Sequence, residues 1–468
     1  VHQDLDPGMD PQERERQMEL NMGRIIEEEV SDTHLDARIR PFYYGNAYYL
    51  FVYEVFRDVR LVGAPPVSVG NFGGDQDNWM WPRHTGDFTL FRVYADENNE
   101  PASYDPSNKP YKPRKHLEIA AGGIEEGDFT MVMGYPGSTT QYLYSAAVRH
   151  MLETNLPLSI GLRTTRLDIM HRYMKESDVV RIQYATKSRR VSNAWKKWQG
   201  IILGLTRNNA VEVKLQEEEE FRNWVAADGE RQMKYEGLLE TFAGLYEEMA
   251  AYEVAVSMMN EAIMAIELFR QAPRIGGMMR QGADKEMLVS QVERFFKDYH
   301  RPIDRDMFAA MLEAYDREMP ERFIPPFYET IQRKYKGDYA GFAEDTYAKS
   351  VFSSQEDMLK LLEKYEGNAE AANEQLDKDP VLDYLGQFRT LYLIGITPEH
   401  SRIENELEQT YKVYMAALLE KEKDRLLYPD ANFTMRLAYG KVDSYKPWDG
   451  VHYQYQTTLS GIMDKGQE

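Results

Sequence analysis

Apolar and polar positions follow two different periods along the 468 residues of this chain. Residues 10–29 (DPQERERQMELNMGRIIEEE) place apolar side chains among charges at helical spacing, which predicts an amphipathic helix. A β-rich stretch follows. Phe42-Tyr43-Tyr44 and the run from Tyr48 through Phe56 flank Gly45-Asn46, a hairpin signal. Residues 57–62 add a short extended run that Gly63-Ala64-Pro65-Pro66 closes. Asp87 is followed by Phe88, Leu90, Phe91 and Val93, which predicts a strand opened by an acid. Residues 96–115, rich in Pro, Asn, Asp and Lys, read as a long surface loop. Phe129-Thr130-Met131-Val132-Met133 then reads as a strand, ended by the turn Gly134-Tyr135-Pro136-Gly137-Ser138.

From residue 145 the period changes. Leu238, Phe242, Leu245 and Met249 recur at helical spacing, and similar patterns continue through 255–269, 286–298, 306–318 and 402–427. Tyr428-Pro429-Asp430 stops the last of these helices. Beyond it, Phe433 through Tyr439 and Tyr453 through Leu459 return to strand character. The pattern therefore predicts an α+β chain: a β-domain from residues 1–144 and 429–468, interrupted by a helical domain over 145–428. The four-acid run Glu217 to Glu220 reads as a solvated helix face.

Composition narrows the function classes. The length predicts two or three domains, and 43% apolar with 12% aromatic residues is the content of a globular protein. Thirty-two tyrosines suit strands as well as aromatic grooves. A formal net charge of −21 repels phosphate backbones and anionic lipid, so no nucleic-acid partner is expected. The absence of cysteine removes disulfides, thiol catalysis and thiolate metal sites. No apolar run approaches the roughly 20 residues that a membrane-spanning helix needs. No signal peptide is recognisable and the first residue is Val1, so a processed or trimmed N-terminus is expected.

Candidate chemistry concentrates in residues 73–95, GGDQDNWMWPRHTGDFTLFRVYA. Polar and aromatic groups crowd there without the periodicity of a core. An acid at the start of a strand, as Asp87 is placed, suits the orienting member of a serine-protease triad. A self-contained triad of His84, Asp87 and Ser138 fits poorly, however. His84 lies in a Trp-Pro-Arg loop context, and Ser138 lacks the Gly-x-Ser-Gly setting whose amides would form an oxyanion hole. Loop and turn packing is the plainer reading of both. Asp75, Asp77 and Asn78 resemble the start of a calcium loop, but the twelfth position is Gly86, where a bidentate acid is needed. Gly134-Tyr135-Pro136-Gly137-Ser138 lacks the lysine of a phosphate loop. No metal and no cofactor are expected.

The run Asp77-Asn78-Trp79-Met80-Trp81-Pro82-Arg83-His84-Thr85-Gly86-Asp87-Phe88 resembles serine peptidase family 46, the exported bacterial dipeptidyl peptidases of types 7 and 11. The resemblance continues through Arg92-Val93-Tyr94-Ala95, Gly134-Tyr135-Pro136-Gly137, Arg189-Arg190-Val191-Ser192-Asn193-Ala194-Trp195 and Leu437-Ala438-Tyr439-Gly440. It implies a chymotrypsin-like double β-barrel with a large inserted α-helical cap domain. It also implies an enzyme that removes dipeptides from the free N-terminus of peptides. Asp87 matches the triad acid, and Asn78, Trp79 and Asn193 match residues that hold the substrate's α-amino group. An amide oxygen accepting from an ammonium and a Trp face offering a cation–π contact agree with those roles. Taken without the family, Asn193 reads as a helix-terminal or capping asparagine.

The chain departs from the family pattern in two places. The family's histidine lies in a Thr-Asn-His-His-type segment and its nucleophile in a Gly-Asn-Ser-Gly-Ser-type turn, and neither string occurs here. The expectation is an internal piece of a longer enzyme, inactive alone, whose barrel is incomplete. Residues that set preference at the second substrate position are expected outside it. Export to the periplasm or cell surface and a homodimeric complete protein are further expectations of the resemblance. The alternative is a protein that binds peptide N-termini without cleaving them.

Overall fold

The computed structural model describes residues 1–465 except 7, 10, 31–34 and 366–368. It divides into two compact units, one formed by Val1–Tyr142 with Tyr411–Glu468 and the other by Leu143–Thr410. The boundary falls inside the helix Thr397–Lys421.

In the first unit the expected N-terminal helix runs over Pro11–Glu29; Asp10 lies outside the described residues. The hairpin pairs β1 (Leu35–Phe42) with β2 (Ala47–Glu54) antiparallel, Phe42 opposite Ala47. Its turn needs left-handed backbone at Tyr43, Tyr44 and Gly45, with φ of 52°, 55° and 80°. The Asn46 side-chain amide donates to the Tyr43 carbonyl at 2.8 Å and holds that turn. β3 (Asp58–Gly63), β4 (Leu90–Ala95) and the two-residue β5 (Lys109–Pro110) form a second sheet, β5 arising within the stretch read as loop. β6 (Phe129–Gly134) pairs with β7 (Arg436–Lys441) across the interruption, and β8 (Tyr445–Trp448) pairs with β9 (Val451–Tyr453).

Two strand expectations change. The strand after Asp87 starts only at Leu90, which sits opposite Gly63. Beyond Gly63 the partner strand becomes Ala64-Pro65-Pro66, and proline has no N–H for a ladder. Thr85 and Gly86 bond elsewhere: Thr85 Oγ1 donates to the Phe72 carbonyl at 2.7 Å, and the Gly86 amide to the Val69 carbonyl at 3.0 Å. The strand expected over Tyr453–Leu459 is also displaced. Gly450, at φ 76°, makes the turn of the β8–β9 hairpin, pairing ends at Tyr453, and Leu459–Lys465 is a helix.

These sheets of two and three strands cover little apolar surface. Val59, Leu61, Val62, Leu90 and Phe91 are exposed on the β3–β4 pair. On β6, Met131, Val132 and Met133 are all exposed, so both faces of that ribbon are open, because successive side chains point to opposite faces.

The second unit is helical and well packed. On the helix Glu267–Arg280, Leu268, Ala272, Ile275 and Met279 follow the 3.6 period and are buried. They face a core that includes Ile303, Met307, Phe308 and Met311 of the helix Arg301–Glu318, with Phe269 and Phe308 edge to face at 5.5 Å. Asp304 caps the first of these helices from the second. Its carboxylate accepts the amides of Glu267 at 2.5 Å and Leu268 at 3.1 Å, and the hydroxyls of Tyr347 at 2.7 Å and Tyr299 at 3.2 Å. Burial, then the neighbouring Glu267 carboxylate, push its pKa up to about 6 against these hydrogen bonds.

The acid run 217–220 lies on the helix Ala210–Ala226, but one member is not solvated. Glu218 is 2% exposed and accepts the Ser145 amide at 2.7 Å and its hydroxyl at 3.0 Å. The free amides at the start of the helix Ser145–His150 attract that carboxylate inward.

Candidate functional site

The part of the segment 73–95 ahead of β4, residues 73–89, is a loop built around one buried carboxylate. Gly73 takes φ 79° and starts the one-turn helix Gly74–Asp77, at whose end Asp77 is 1% exposed. A Cβ on Gly73 would stand 2.2 Å from the Asp77 carboxyl carbon, so only glycine permits this approach. One carboxylate oxygen of Asp77 accepts the His84 amide at 2.8 Å, and the other accepts the Lys465 ammonium. Lys465 also donates to the Pro82 carbonyl at 2.7 Å. Burial opposes ionisation of Asp77, but the His84 amide and the Lys465 charge outweigh it and hold the pKa below its usual value.

The three sequence-selected residues of this unit follow from that anchor. Asn78 comes directly after Asp77 in extended backbone, φ −68° and ψ 127°. Trp79 takes a left-handed φ of 61°, which turns the chain, and the residue is 55% exposed. The Trp81–Pro82 peptide is cis. Asp87 is exposed and sits three residues ahead of β4, where a partner can reach its carboxylate. Neither neighbour weighed as its triad partner is set up for that chemistry. Both ring nitrogens of His84 are shielded from solvent with no hydrogen-bond partner among the described residues. Ser138 is exposed and forms an isolated β-bridge with Asn432.

Asn193 belongs to the helical unit. It stands in the middle of the 30-residue helix Asp178–Arg207, so it is neither terminal nor capping; Ser177 caps that helix instead. Val180, Tyr184, Ser188, Val191 and Ser192 form the buried face, and Asn193 is exposed. Its surroundings are cross-braced by side-chain hydrogen bonds. The Arg163 guanidinium donates to the Val191 carbonyl at 3.0 Å and grips Glu261 through two bonds of 2.8 and 2.6 Å. Trp195 Nε1 donates to Thr164 Oγ1 at 2.9 Å. Arg166 also reaches Glu261, and its burial pushes the guanidinium pKa down to about 10 despite that carboxylate. A polar side chain on so braced a helix is held more closely than one on a loop.

Sequence reasoning missed Asp77 and Lys465. Asp77 carried a signal: a glycine four residues before an acid, with the acid directly preceding a candidate binding residue. Lys465 carried none, because 388 residues separate it from Asp77.

The chain as a whole, residues 1–468, matches the family model described as Peptidase S46. An Asp/Glu-specific dipeptidyl-peptidase of Capnocytophaga gingivalis is 36% identical over 470 residues, which is 97% of this chain and 64% of that protein. Dipeptidyl-peptidase 7 of Phocaeicola vulgatus is 36% identical over 460 residues, 94% of this chain and 62% of that protein. The crystal structure of Porphyromonas endodontalis DPP11 in complex with dipeptide Arg-Glu superposes with a TM-score of 0.78 at 30% identity, covering 95% of this chain and 64% of that one. The chain thus spans less than two thirds of the length of these relatives. Agreement of family model, relatives and solved structure over nearly every residue means that this chain belongs to the peptidase S46 family.

Proposed function

We propose that this chain is part of a serine dipeptidyl aminopeptidase that removes dipeptides from the free N-terminus of peptides. The observation that carries the reading is the placement of an exposed acid, Asp87, nine residues after a half-buried Asn78 that is followed directly by an exposed Trp79, in a member of this family. In the reaction, Asp87 accepts the Nδ1–H of a histidine, fixes its tautomer and stabilises the imidazolium formed when a serine attacks the scissile carbonyl. Asn78 and Asn193 offer amide oxygens to the substrate's α-ammonium, and Trp79 offers its ring face. On this reading neither His84 nor Ser138 supplies the histidine or the serine. The open strand faces of the first unit support a chymotrypsin-like double barrel completed by further strands, with the helical unit as its cap. Export to the periplasm and a homodimer of the complete protein belong to the same reading.

In the complete enzyme, Asp87→Asn should lower kcat by about four orders of magnitude with little change in substrate binding. Retention of near-normal kcat in that variant would remove Asp87 from the triad. A second reading, binding of peptide N-termini without cleavage, is favoured for the chain alone by the shielded His84 ring and the bridged Ser138. The chain by itself should not turn over dipeptidyl substrates. Turnover that disappears with Ser138→Ala or His84→Ala would overturn that assignment.

A further inference from the structure

The loop that carries Asn78 and Trp79 has no strand partner along residues 74–89, yet it holds a left-handed tryptophan and a buried carboxylate. Something other than a sheet ladder must define its shape. Three connections converge on Asp77. Its own amide donates to the Gly73 carbonyl at 3.1 Å, its carbonyl accepts the Met80 amide at 3.2 Å, and its carboxylate reaches across the loop to the His84 amide. Residues 77–84 are thereby closed into a ring containing both Asn78 and Trp79. Lys465, at the end of the helix Leu459–Lys465, closes the ring a second time by bridging Asp77 and the Pro82 carbonyl.

We infer that Asp77 and Lys465 are positioning residues for substrate recognition, an ion pair that sets the orientation of Asn78 and Trp79 toward a peptide's α-ammonium. The inference rests on the amino-binding role proposed above for Asn78 and Trp79. Its physical content is geometric. Asp77 is too buried to meet substrate, so its charge acts through the loop and not on the ligand. An amide in its place presents an NH₂ group toward either the His84 amide or the Lys465 ammonium, and both are donors. One of the two closures must therefore open. Adding a Cβ at Gly73 displaces the same carboxylate by steric contact and leaves every charge in place.

The test uses the complete enzyme and two probes, a fluorogenic dipeptidyl amide with a free α-amine and its N-acetylated counterpart. Asp77→Asn, Lys465→Met and Gly73→Ala should each raise KM for the free-amine substrate by about tenfold, the loss falling in KM far more than in kcat. Lys465→Arg should restore most of the wild-type KM, since the pair is kept. Asp58→Asn serves as the comparator, because Asp58 is an equally buried acid on β3, bonded to Arg60 and Asn108. It should lower Tm and leave the preference for a free amine intact. A wild-type KM in Asp77→Asn, or an equal KM loss in Asp58→Asn, overturns the inference. If Asp77→Asn does not fold, the contrast between Lys465→Met and Lys465→Arg decides, and equal KM values for those two overturn it. If Asn78→Ala abolishes the free-amine preference while the Asp77 and Lys465 variants keep it, the amino-binding reading stands and only the positioning role falls. If Asn78→Ala also keeps the preference, the amino-binding reading fails and the inference goes with it.

Discussion

The unit Leu143–Thr410 and the unit formed by Val1–Tyr142 with Tyr411–Glu468 bury their apolar side chains to very different extents. In the first, Phe242, Phe269, Phe308, Phe342 and Phe388 are 0–1% exposed within a helical core. In the second, the only buried apolar strand residues among those described are Ala37 and Ala95, while Leu61, Phe91, Phe129 and Val132 are each more than 60% exposed. The difference follows from where each kind of element finds its partners. Helices satisfy their backbone internally and pack on neighbours close in sequence, so a helical insertion completes its own core. Strands need partners for both backbone and faces, and two-stranded ribbons such as β6–β7 are marginal until something covers them. A buried phenylalanine contributes roughly 1.5–3 kcal/mol in the helical unit that an exposed one on β4 does not.

The sharpest way to break this comparison is to remove the same side chain from both units. Phe269→Ala should cost about 3–5 kcal/mol of stability, by lost burial and a cavity. Phe91→Ala should change stability by no more than about 0.5 kcal/mol. Denaturant unfolding of both variants measures this, and equal losses would show that the strand faces are covered in solution.

Acidity should act on the two units with opposite sign. Asp304 has its folded pKa raised to about 6 by burial and by Glu267, above the unfolded value of 3.8. Its contribution is fully present below pH 3.8 and is lost as pH rises through about 6. Asp58 is the reverse. Bonding to Arg60, against burial and with help from Asn108, pulls it down to about 2. Its contribution is present above pH 3.8 and is lost as pH falls through about 2. Thermal melts should therefore show the helical unit gaining stability from pH 6 to 4 and the β unit losing it from pH 4 to 2. Asp304→Asn and Asp58→Asn should each remove one of these slopes, and a slope that survives its variant refutes that assignment.

The smallest effect concerns the open ribbon. Val132→Thr should shift stability by no more than about 0.5 kcal/mol and reduce binding of a hydrophobic dye such as ANS. Unchanged dye binding would place the apolar surface elsewhere.

Much of the fold is legible in the sequence. The Gly45-Asn46 turn and the spacing of Leu238, Phe242, Leu245 and Met249 are local signals, and the hairpin and helix they predict are present. Other elements were not legible, for identifiable reasons. Glu218 looked like its exposed neighbours because its partner, the start of the helix at Ser145, is 73 residues away. The strand after Asp87 reads too long in the sequence because Phe88 has the right side chain, while Pro65 and Pro66 remove the backbone partner. Asn193 reads as a cap because asparagine is a common capping residue and nothing beside it in the sequence marks its position as the middle of the 30-residue helix Asp178–Arg207. In the candidate site, Asp87, Asn78 and Trp79 were legible as unusual residues in an unusual string, but the anchor beneath them was not.

By itself, then, the sequence determined the alternation of period, the turns, the charge and the identity of the residues able to do chemistry. All of these depend on neighbours within a few positions. Only the tertiary structure decided which acids are buried and which exposed, that Asp77 is held by Lys465 while Asp87 is left open, and that one unit closes its core while the other does not. Burial and ion pairing depend on groups brought together from distant parts of the chain, and no local pattern encodes that meeting.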